Sequence, residues 1–164
     1  MSPIHLLLAL RGLVAEMQPA WANEQNTCAS NAGTFLIGTG ISGPRFARGH
    51  ELRGVELSHT HAWVRGDNGR FYDIAIDDVF AEGYDQAGES VPAPLSQIQR
   101  GDRLELCGKP YASGGPGMDW VHTICRDRPT RDKPDGWVKI IGPDGTAGPN
   151  LESNQEYCWL WQRN

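Results

Sequence analysis

The run from Val55 to Ile76 constrains the fold of this chain more than any other stretch. Over Val55–Arg65 the residues alternate as they would on a strand. Val55, Leu57, His59, His61 and Trp63 fall on one face, and Glu56, Ser58, Thr60 and Ala62 on the other. Gly66-Asp67-Asn68-Gly69 follows, with the Asn-Gly chemistry of a tight hairpin turn. The return strand, Arg70–Ile76, sets Tyr72, Ile74 and Ile76 against Phe71, Asp73 and Ala75. In a closed barrel the face shared by Val55 and Leu57 is expected to point inward or toward the barrel mouth, carrying His59, His61 and Trp63 with it.

Similar short strands are expected at Thr34–Thr39, at Arg103–Cys107 with Leu104 and Leu106 inward, at Met118–Cys125, at Trp137–Ile141 and at Tyr157–Trp161. The 20 glycines and 11 prolines favour such short strands and many turns over helices. One short helix is expected at Pro94–Ile98. The acidic stretch Asp77–Glu89 reads as a solvated turn or short helix, and Asn23–Gly33 as a loose lead-in. Residues 1–22 read either as a signal peptide ending in Ala20-Trp21-Ala22 or as an amphipathic helix with Leu6, Leu10, Leu13, Val14 and Met17 on one face. Residues 23–164 then form a single mainly β domain with one or two short helices.

Around the fourth of these strands the order Gly117, Trp120-Val121-His122, then Pro134-Asp135-Gly136-Trp137-Val138-Lys139 resembles a family of small uncharacterised exported bacterial proteins. The preceding Ile98, Gly101-Asp102-Arg103-Leu104-Glu105-Leu106 and Gly108 are similar to the same family's run. The resemblance implies a small OB-like β-barrel and a periplasmic or secreted location, and no known activity.

The net charge of −5 excludes a generic nucleic-acid binder, and beyond the start no apolar run is long enough for an ordinary membrane span. Cys28, Cys107, Cys125 and Cys158 are widely spaced with no Cys-x-x-Cys pair, which disfavours structural zinc. In an exported chain they are expected to form two disulfides, with three pairings open.

His59, His61, Trp63, Trp120, His122 and Trp137, with Arg126 and Arg128 on the charged loop 126–133, are the candidate ligand-binding residues. The leading expectation is a non-catalytic binding module without a cofactor, meeting an unknown ligand or protein partner through an aromatic and histidine surface. One alternative is a phosphodiesterase-like hydrolase with a divalent transition metal held by His59, His61 and His122. In a metal-free variant of it, Asp73 orients a histidine for acid–base work. A structural envelope protein is the remaining alternative. No Gly-x-Ser-x-Gly elbow is present.

Overall fold

A computed structural model describes residues 21–162. Helix α1 (Trp21–Ser30) leads into strands β1 (Thr34–Gly40), β2 (Arg45–Ala47), β3 (Glu51–Leu52), β4 (Val55–Glu56), β5 (His59–Gly66) and β6 (Phe71–Asp77). A 3₁₀ turn (Asp78–Phe80) and two one-turn helices, α2 (Tyr84–Ala87) and α3 (Ala93–Ser96), come next. Strands β7 (Arg103–Tyr111), β8 (Gly117–Asp119) and β9 (Trp137–Ile141) and a closing 3₁₀ helix (Glu156–Trp161) complete the chain. The leader read at residues 1–22 lies outside the described residues up to position 20. Among the described residues no helix is long and apolar enough to cross a membrane.

Five strands close on themselves in the order β1–β5–β6–β8–β7–β1. The β6–β8 contact is parallel and the other four are antiparallel. This is a small OB-like barrel, with β2 pairing the stretch of β5 beyond β1 and β9 pairing the stretch of β7 beyond β8. Closure removes the exposed edges that an open sheet of this size would carry. Leu36, Val64, Ile74, Ile76, Leu104, Leu106, Met118 and Val138 fill the interior, and Leu95 and Ile98 at α3 plug one end.

The expected hairpin is present, but the first strand turns its other face inward. Residues directly opposite one another on paired strands share a face, and Ile74 and Ile76 must be inside. Their partners Ala62 and Thr60 are therefore inside, as is Val64 opposite Tyr72. His59, His61 and Trp63 stand outside, opposite Asp77, Ala75 and Asp73. The run Val55–Arg65 is not one strand either. Leu57 and Ser58 break it, and β4 pairs with β3 instead.

Four other expectations need correction. The strand expected over Met118–Cys125 stops at Asp119, because Trp120 takes a left-handed backbone with φ of +53°. Tyr157–Trp161 is 3₁₀ rather than strand. Asn23–Ser30 is helical, not loose, with Cys28 bonded to Cys107 on β7. The acidic stretch begins buried, since Asp78, Val79 and Phe80 are all inside. The second disulfide joins Cys125 to Cys158. It ties the loop after β8 to the closing 3₁₀ helix over a second apolar cluster of Leu57, Val79, Phe80 and Leu160.

Candidate recognition cleft

The site grows from the ends of β6 and β8. Strand β6 ends on two acids with opposite fates. Asp78 turns in and accepts hydrogen bonds from the Ser58 and Thr60 hydroxyls at 2.7 and 2.6 Å. Burial pushes its carboxyl up, and those two hydroxyls only partly offset this. Asp77 turns toward the histidines. Its Oδ1 lies 2.8 Å from His59 Nε2 and its Oδ2 lies 3.4 Å from His122 Nε2. Burial works to raise the Asp77 carboxyl, but pairing with the two imidazoles outweighs it and holds the group well below the usual carboxylate range. The same pairing raises His59 against the opposing effect of burial.

His122 reaches Asp77 because the chain reverses after β8. A left-handed conformation is a strained choice for a bulky residue. Trp120 is locked into it by close backbone contact. A Cβ on Gly136 would lie 2.3 Å from the Cys107 carbonyl oxygen and 2.4 Å from that of Trp120, so only glycine fits there. The Gly136 N–H donates to the His122 carbonyl at 2.8 Å. His122 is buried, at 3% exposure. Its Nδ1 sits 3.0 Å from the Thr123 carbonyl oxygen. The ring lies flat on Phe80, with centroids 3.7 Å apart and planes 4° apart. Trp161 stacks on Phe80 at 5.5 Å and Trp120 meets His122 at 5.1 Å, which extends the column at both ends.

Beside this column opens a cleft of about 210 Å³. Leu52, Leu57 and Ile124 line its apolar side, and His50, Asp77, Asp127 and Lys133 supply its polar groups. Larger concavities exist, of about 440 Å³ beside Tyr111 and about 640 Å³ beside Lys109. The first is lined by Phe35, Tyr72 and Tyr111 with Arg70 but by no carboxylate, and the second mostly by small residues with Lys109 and Arg131. Near the cleft Glu152 is fully buried, and neither carboxyl oxygen has a hydrogen-bond partner among the described residues. Burial, reinforced by the negative charges of Asp77 and Asp78, raises its carboxyl well above the ordinary range.

The candidate residues separate into three groups. His59, His122 and Trp120 converge on or beside Asp77. His61 and Trp63 lie on the outer face of β5, where His61 Nδ1 meets both oxygens of Asp73 at 2.9 and 3.0 Å. The Tyr111 hydroxyl donates to the same carboxylate at 3.1 Å. Trp137 departs from expectation. It is buried, and its indole N–H donates to Glu105 at 2.9 Å under the Lys139 ammonium, so it braces β7 against β9 and offers no face to a ligand. Arg126 and Arg128 are exposed on the loop, as are Arg131 and Lys133. As for a metal, His59 and His122 turn nitrogens to one carboxylate and His61 turns one to another. Among the described residues no three His, Cys, Asp or Glu side chains are grouped to hold one ion.

Sequence reasoning missed Asp77, Phe80 and Glu152. Asp77 follows a strand that puts Ile76 inside, so the period-two pattern could have placed it outside beside His59. Glu152 gives no sequence signal, because only the tertiary fold buries it. Comparison with protein-family models, with curated proteins and with solved structures finds no match.

Proposed function

We propose that this protein is a binding module whose recognition site is the cleft beside Trp120 and His122. The observation that carries this reading is the Trp120 backbone. A tryptophan held at φ +53° costs on the order of 1–3 kcal/mol. That strain places its ring at the lip of a cleft in which an aromatic column, an ionised carboxylate and an apolar wall meet. At about 210 Å³ the cleft is smaller than the roughly 300–1,000 Å³ of a site for a whole small molecule. It suits one planar ring or side chain belonging to a larger ligand. Trp159 and Trp161, 43% and 41% exposed, continue the aromatic surface beyond the cleft, as anchor positions of an interface do. The two disulfides support function in an oxidising compartment outside the cytoplasm.

Tryptophan fluorescence tests this reading. The oxidised protein is titrated with three single-ring probes: adenosine, methyl glucoside and N-acetylphenylalaninamide. At least one should change the emission saturably in the wild type and fail to do so in Trp120→Gly. The proposal fails if all three leave the emission unchanged, or if the variant responds as the wild type does.

A further inference from the structure

The outer face of β5 carries a second arrangement that meets the cleft only at the Asp77 carboxylate. His59, His61, Trp63 and Arg65 follow one another along it at every second residue, and Arg45 on β2 stands directly opposite His61. Arg45 and Arg65 are exposed and have no carboxylate partner within ion-pair distance among the described residues. The two imidazole centroids are 6.3 Å apart. Each ring is oriented by its own acid, which fixes one nitrogen and leaves the other without a partner among the described residues. Asp73 takes His61 Nδ1, and Asp77 takes His59 Nε2. A carboxylate that orients an imidazole in this way sets it up for proton transfer.

Among the described residues the hydroxyls near the pair are already engaged: Ser42 accepts from the Trp63 backbone N–H and Tyr111 donates to Asp73. The Ser58 and Thr60 hydroxyls are buried on Asp78, and all four cysteines are in disulfides. Two oriented imidazoles can activate water or a nucleophile that the substrate itself brings. With two unpaired arginines for a phosphate and a tryptophan between them for a base, the fitting substrate is single-stranded RNA, whose 2′-hydroxyl neighbours the scissile phosphodiester.

We infer that the His59–His61 face cleaves single-stranded RNA by metal-free transphosphorylation. His61 Nε2 takes the 2′-hydroxyl proton as the 2′-oxygen bonds to phosphorus. The bond to the 5′-oxygen breaks, and that oxygen receives the proton from His59 Nδ1. The products are a 2′,3′-cyclic phosphate and a 5′-hydroxyl. One proton is taken up and one released, and solvent exchange resets both rings. Arg45 faces the charge that builds on the phosphoryl oxygens. Recognition extends over one base and one or two phosphates, so the overall charge of −5 does not oppose it as it opposes binding along a whole backbone. The activity goes beyond the binding reading of the cleft and shares with it only Asp77, which orients His59.

The test substrate is a labelled DNA strand carrying a single uridine ribonucleotide, incubated with the oxidised full-length protein in EDTA. Cleavage at the ribonucleotide with a cyclic phosphate end is expected. It should fall about 100-fold or more in His61→Ala and in His59→Ala, and about 10-fold in Arg45→Ala, whose side chain is exposed, with a far-ultraviolet spectrum like that of the wild type showing that each variant is folded. The all-DNA strand should survive. Wild-type cleavage no greater than that of the double variant His59→Ala/His61→Ala purified in parallel would overturn the inference, as would equal cutting of the all-DNA strand. Retained cleavage in Trp120→Gly would show that this face works without the cleft. A strand that binds but is never cut would remove the activity and leave the binding reading standing.

Discussion

His122 lies flat on Phe80, the two rings 3.7 Å apart and within 4° of parallel. Phe80 closes the 3₁₀ turn that follows β6, and His122 comes from the loop after β8, so this contact fastens the cleft wall to the barrel.

Removing Phe80 should therefore cost more than its area alone. Phe80→Ala is expected to lose about 3–5 kcal/mol in denaturant unfolding, and Phe80→Leu about 1–2 kcal/mol, through the lost stack. A loss below about 1 kcal/mol for the alanine variant would show that the column carries no stability.

At Trp120, backbone strain and ring packing can be separated. Alanine removes the ring and keeps the strain, whereas glycine removes both. Trp120→Gly should be more stable than Trp120→Ala by about 1 kcal/mol, the reverse of the usual order of these residues. Equal stability, or a more stable alanine variant, would mean that the +53° backbone is not strained in solution.

Glu152 should leave a signature in the pH dependence of stability. Its folded pKa is raised by burial and by Asp77 and Asp78. Below the unfolded value of about 4.5 both states hold the proton and nothing is lost. Above it the unfolded chain releases the proton and the folded chain keeps it. Stability therefore declines as pH rises toward the folded pKa, by up to about 1.4 kcal/mol per pH unit. Glu152→Gln keeps the shape and cannot ionise, so this component of the slope should vanish and the variant should be the more stable protein at neutral pH. Matching slopes in urea unfolding at pH 5, 6 and 7 would contradict the assignment.

The Cys125–Cys158 bridge holds the cleft together more than it holds the barrel. Replacing both cysteines by alanine should cost about 2–4 kcal/mol. It should abolish the response to single-ring probes and leave the far-ultraviolet spectrum of the barrel in place. A barrel that unfolds with this bridge would contradict that division.

The barrel was legible because period-two alternation, Asn-Gly turn chemistry and glycine placement are local signals. On Arg70–Ile76 the two faces were separated as the structure has them, and Ile74 and Ile76 leave little choice of which is inner. The run Val55–Arg65 was ambiguous because Leu57 argued for one face and Ala62 is too small to argue for the other. Cross-strand pairing with Ile74 decided it, and that is not local information. Trp137 was misplaced for the same reason. Its partner Glu105 is 32 positions away, and nothing near the tryptophan shows that its N–H is satisfied inside. The histidines could be picked out by type and spacing. The acids that orient them, Asp73 and Asp77, lie on the return strand within reach of a local reading, whereas the buried and unpartnered Glu152 comes from the far end of the chain and gives no local signal.

The most direct test of the recognition cleft is the set of indole N–H resonances in protein labelled at tryptophan nitrogen, recorded during titration with the same single-ring probes. The site beside Trp120 and His122 predicts saturable shifts at Trp120 and Trp161 with Trp137 unmoved. Shifts confined to Trp21 or Trp63, or none with any probe, would contradict it.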